Sequence, residues 1–81
     1  MTALADLPED WQRVVELTCR RHGLGAKNVM ERSRRPRTVR CRFDVWAALH
    51  EAGENYETIG AVFGYDRSSV SYGVRRAMGR V

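Results

Sequence analysis

The stretch NYETIGAVFGYDRSSVSYGVRR, residues 55–76, decides the fold. Its spacing predicts two short helices joined by a tight turn. Asn55 is an N-cap residue, because its side-chain oxygen can accept from an orphan amide of a first turn. Tyr56, Ile59, Val62 and Phe63 then recur at helical spacing. Gly64 can take the left-handed conformation that ends a helix, and Asp66 is a second cap. Beyond it, Val70, Val74, Ala77 and Met78 share one face, while Arg67, Ser68, Ser71, Tyr72, Arg75 and Arg76 lie largely outside it. A short helix, a glycine turn and a second helix with a basic, hydroxyl-rich face reads as a helix-turn-helix. An ordinary helical hairpin with a solvated basic face is the plainer alternative.

Around this stretch, 81 residues make one small domain. The hydrophobic content of 43% supports a compact but small core. No apolar run approaches the length of a membrane span and no signal-peptide pattern opens the chain, so a soluble, cytoplasmic protein is expected. The formal charge is +4. Thirteen of the 14 basic residues are Arg, and only Lys27 is Lys. Arginine holds phosphates and base edges with a planar fork, where lysine is a point charge; a GC-rich genome would also favour arginine. The distribution carries more weight. Residues 32–42 hold six Arg and no acid, whereas residues 6–16 hold four acids and one Arg. Such asymmetry on a small domain is a footprint for a polyanion.

Elsewhere the chain predicts an all-α, compact bundle of four or five helices. Met1–Ala5 is expected to be a disordered start, with residues 6–81 forming the domain. Asp6-Leu7-Pro8-Glu9 reads as a capped helix start, and Trp11, Val14, Val15, Thr18 and Cys19 line one face of the helix it opens. Gly23 ends that helix. Residues 24–31 hold a short helix at most. Residues 32–36 read as an exposed basic loop, since Pro36 disfavours helix at Arg35. A long helix from about Arg37 to Ala52 follows, with Val39, Phe43, Trp46, Ala47, Leu49 and His50 inward and Arg37, Arg40 and Arg42 exposed in its first turns. Basic residues there oppose the helix dipole, a placement that makes sense if phosphate comes to the site. The expected core is Trp11, Val15, Phe43, Trp46, Leu49, Ile59, Phe63, Val70 and Val74. Gly73 sits inside a helix at a cost of about 1 kcal/mol against Ala, which suits close packing or approach to a ligand.

Cys19 with His22, and Cys41 with His50, lack the spacing of a zinc site, and helical cysteines are usually small buried hydrophobes. No disulfide, metal or cofactor is expected. No nucleophile–base grouping can be defended from spacing, and no Walker or GxGxxG pattern is present, so the chain is not expected to be an enzyme.

Three segments resemble the C-terminal DNA-binding domain, domain IV, of the bacterial replication initiator DnaA. RSRRPRTVRCRFDVW (32–46) is similar to that family's basic loop running into a long helix. YETIGAVFG (56–64) is similar to its first motif helix, and DRSSVSYGVRR (66–76) to its recognition helix, where the family has Asp-His-Thr-Thr-Val. The likeness spans about Val14 to Met78. It implies an all-helical domain with a Trp-repressor-like helix-turn-helix that docks in the major groove. It also implies a loop arginine (Arg34, Arg35 or Arg37) in the minor groove, and Asp66, Arg67, Ser68 and Ser69 against bases. The family's His is Arg67 here, its threonines are serines, and the turn Gly64-Tyr65 is one residue shorter and lacks the base before Asp66. These departures turn the expected target away from the initiator's own DNA box.

The expected function is sequence-specific binding of double-stranded DNA, as the DNA-binding domain of a transcriptional regulator. The expected contacts are Arg32, Arg34, Arg35, Arg37, Arg40, Asp66, Arg67, Ser68, Ser69, Ser71, Tyr72 and Arg75. The arrangement is also similar to regulators of phage-like gene clusters, gene transfer agent activators among them. That likeness implies a longer chain whose residues beyond 81 meet RNA polymerase. A replication-control factor, the DNA-binding part of a recombinase or transposase, and a basic protein-interaction module are the other readings.

Overall fold

The computed structural model describes residues 3–79. It contains five helices, α1 (Glu9–Arg21), α2 (Ala26–Met30), α3 (Pro36–Glu51), α4 (Tyr56–Phe63) and α5 (Arg67–Met78), and no strand among the described residues. The all-α bundle expected from the periodicities is thus the fold. Helix α3 is its axis and packs against all four of the others, most extensively against α5. Valines and aromatics from every helix meet there. Val15, Val29, Val45, Trp46, Leu49, Ile59, Val70 and Val74 are essentially sealed from solvent, each worth about 1.5–3 kcal/mol when fully buried.

Several local expectations change. Asp6 does not cap α1. Its carboxylate accepts from the Ala3 amide (3.1 Å) and closes a single 3-10 turn, Leu4–Asp6, and Pro8 stands at the α1 N-cap position instead. The disordered start expected for Met1–Ala5 therefore overlaps this turn, on which Leu4 packs against the core; Met1 and Thr2 lie outside the described residues. Helix α3 begins at Pro36, whose fixed φ suits a first helical position. Phe43 and Phe63 are only half-buried, because each lies at the rim of an aromatic cluster around Trp46, while Leu7, Cys19, Val29, Cys41 and Val45 complete the core. Met78, expected on the inner face of α5, is exposed at the helix end. Gly73 has a packing role: a Cβ there would sit 2.6 Å from the Phe43 ring and 2.7 Å from that of Trp46. The missing side chain lets α5 lie close on α3.

Polar contacts tie the helix ends. His22 Nε2 meets Asp44 Oδ2 at 2.7 Å, joining the end of α1 to α3. Trp11 Nε1 donates to Glu54 Oε2 at 3.1 Å. The Cys19 and Cys41 sulfurs are 3.6 Å apart and buried, and both are free thiols. No described helix is long and apolar enough to cross a membrane.

Candidate nucleic-acid interface

The helix-turn-helix is built by the devices its sequence carries. Asn55 Oδ1 accepts from the Thr58 amide (2.8 Å) and starts α4. Gly64, at φ +80°, reverses the chain, and its amide and that of Tyr65 both donate to the Gly60 carbonyl (2.8 and 2.9 Å). This is the left-handed termination that glycine favours. Gly60 has its own constraint, since a Cβ there would overlap the Tyr65 carbonyl oxygen. Asp66 Oδ1 accepts from the Ser69 amide at 2.7 Å and opens α5. That hydrogen bond stabilises the carboxylate and holds its pKa below the ordinary value. The Asp66 carboxylate is therefore committed to the cap. Among the described residues Arg67, the first residue of α5, forms no ion pair and stands exposed.

Two adjoining hollows bring six of the twelve expected site residues together. One, of about 440 Å³, lies between α3 and the start of α5 and is bordered by Asp66, Ser68, Ser69 and Tyr72. The second, of about 370 Å³, is bordered by Arg32, Ser33 and Arg34. Both share Val39, Arg42 and Tyr65. The basic loop and the first turns of α5 are thus two banks of one groove. Tyr72 is half-exposed and set edge-on against Phe43, with ring centroids 6.0 Å apart. Arg35, Arg40, Arg67 and Arg75 are exposed but do not line the groove, and neither does Ser71, which is half-buried. Arg37 is drawn elsewhere: its Nε donates to the His22 carbonyl at 3.1 Å, at the end of α1. This contact leaves Arg34 and Arg35 as the freer of the loop arginines.

Arg42 overturns the expectation of an exposed basic residue. It is 4% exposed, and its Nη2 donates to the Glu31 carbonyl (2.9 Å) and the Ser33 carbonyl (3.0 Å). Burial, with Arg32 nearby, lowers its pKa. The Arg32 guanidinium lies 4.6 Å from the centroid of the Tyr65 ring and that of Arg42 5.4 Å, within the range of cation–π attraction. Tyr65 in turn stands edge-on to Trp46 at 5.1 Å. Two donors here, Arg42 Nε and Trp46 Nε1, are buried without a hydrogen-bond partner among the described residues. Each such donor costs about 1–3 kcal/mol. Sequence reasoning missed the roles of both Arg42 and Tyr65. An aromatic residue directly after a helix-ending glycine was the available signal for Tyr65. Arg42 carried none, since it is one of six arginines in its run.

Cys19 pairs with Cys41, His22 with Asp44, and His50 Nδ1 bonds the Glu54 carbonyl (3.0 Å). Among the described residues no three of His, Cys, Asp and Glu gather where they could hold a metal ion. No family model matches the chain, and no curated protein or solved structure is significantly similar to it.

Proposed function

We propose that the chain binds double-stranded DNA sequence-specifically, with α5 in the major groove and the loop of residues 32–35 at the adjacent backbone or minor groove. The observation that carries this reading is the shared groove: Arg32 and Arg34 border one bank, Ser68, Ser69 and Tyr72 the other. Loop arginines suit phosphates and narrow minor grooves. A helix whose first residues are Asp66-Arg67-Ser68-Ser69 offers an arginine fork and small hydroxyls to base edges. The likeness of residues 32–46 and 56–76 to domain IV of DnaA supports the same docking. Its altered positions, Arg67 above all, favour the DNA-binding domain of a transcriptional regulator over an initiator. In that role it acts on the cytoplasmic nucleoid, with RNA polymerase reached through residues outside this chain. Selection of bound sites from random duplexes, followed by gel shifts over a salt series, tests the reading. The expected result is one enriched motif and an affinity that falls steeply with salt. No enrichment, or binding indifferent to salt, overturns it.

A further inference from the structure

We propose that Arg42 and Tyr65 fix the distance between the basic loop and α5, so that the domain accepts its two DNA contacts at only one separation. This rests on the DNA-binding reading above. The loop is held from two directions. From beneath, Arg42 of α3 bonds the carbonyls of Glu31 and Ser33, the residues on either side of Arg32. From the side, the Arg32 guanidinium rests on Tyr65. Tyr65 lies in the turn between α4 and α5, and only Asp66, the α5 cap, separates it from the helix. Loop and recognition helix are therefore joined through one ring as well as through α3. Within the loop, the Arg35 amide donates to Ser33 Oγ (3.3 Å), which adds local order.

The scale that matters is the step between base pairs, about 3.4 Å. A loop tethered only by its ends would move by that much and reach a neighbouring step. A loop pinned at both carbonyls and stacked on the turn does not. The cost of this arrangement points the same way. A buried charge with an unsatisfied Nε is a poor stabiliser, and an apolar side chain of similar length often serves stability as well or better. What an apolar residue cannot do is hold two loop carbonyls. Arg42 and Tyr65 are thus positioning residues, and neither needs to touch DNA.

The test uses the selected duplex and versions with one base pair inserted or removed between the bases covered by α5 and those covered by the loop. The two regions are assigned by comparing footprints of the wild type and Arg34→Ala. Wild type is expected to lose at least about tenfold in affinity on each altered spacing. Tyr65→Leu and Arg42→Met are expected to bind the original site more weakly yet to lose less than about threefold on the altered ones. Tyr65→Phe, which keeps the ring, restores the wild-type pattern. Circular dichroism melts identify any variant that fails to fold. Arg32→Lys, at an exposed position, keeps the positive charge offered to phosphate but loses the planar stack on Tyr65, and gives the same relaxed pattern. Variants that keep the full spacing penalty, or a wild type that shows none, overturn the proposal while leaving DNA binding intact. A wild type that binds no duplex removes the underlying reading and this proposal with it.

Discussion

Arg67 is exposed at the first position of α5, where side chains of such motifs reach base edges, and Asp66 does not hold it back because that carboxylate caps the helix. Its fork matches guanine O6 and N7. Arg67→Ala is expected to lose about 1–3 kcal/mol of discrimination at one G·C pair, with a much smaller loss on non-specific duplex. Titrations on the selected site and its single-base variants check this, and an equal loss on every variant makes Arg67 a phosphate contact. A second residue carries a pH dependence. Burial and the neighbouring Cys19 push the Cys41 thiol up from 9.0 to about 12. Unfolded chains release that proton near 9 and folded ones only near 12, so the folded state binds more protons between. The stability this group contributes is fully present below its unfolded value near 9 and is lost as pH rises through this window, by up to about 1.4 kcal/mol per pH unit. Urea midpoints at several pH values should show a steeper alkaline decline for wild type than for Cys41→Ala. Parallel declines would remove Cys41 as a cause. The contrast with Arg42 explains what was legible in residues. Cys41 was readable as a buried hydrophobe from its type alone. Arg42 was not readable, because its partners are main-chain carbonyls, which leave no mark in a sequence.

At the level of elements, α4, the turn and α5 were readable because their signals are local. A cap side chain bonds an amide three residues on, and a glycine takes a positive φ where the chain reverses. The start of α1 misled for the opposite reason: Asp6 had two turns within reach, and the 3-10 turn before it took the carboxylate. The union of the basic loop with the turn was illegible, since Arg32 and Tyr65 meet only through tertiary folding. Helix α5 itself offers a test of the α3–α5 contact. Gly73→Ala would gain about 1 kcal/mol of helix propensity. The new methyl group, however, meets ring carbons of Phe43 and Trp46 at 2.6 and 2.7 Å, and Trp46 is 1% exposed, with no space to yield. Overpacking of this kind costs about 1–3 kcal/mol. A net fall in melting temperature is expected, and a rise would mean that α5 can move off α3 freely.

For the molecule as a whole, the charge distribution bears on how it would meet the proposed duplex. Arg34 and Arg35 are exposed on the loop, and neither is bound through its guanidinium among the described residues. Replacing both with Ala should weaken specific and non-specific duplexes together. It should also reduce the slope of log affinity against log salt by about 2, the value for two phosphate contacts; an unchanged slope would make the loop a solvated connection. The domain measures 26 × 24 × 22 Å, less than one turn of duplex at about 34 Å. It approaches as a single small body, and the loop within it is already ordered. Fixing a free backbone costs about 1–2 kcal/mol per residue in conformational entropy. The two carbonyls held by Arg42 place that loss in folding rather than in association. Binding should accordingly lack the thermodynamic signature of a segment that folds on its target: a modest heat-capacity change for wild type, and a more unfavourable entropy for Arg42→Met at comparable enthalpy, measured by titration calorimetry at several temperatures. In the proposed complex, a guanidinium held in the protein interior would then govern how much disorder the DNA has to remove.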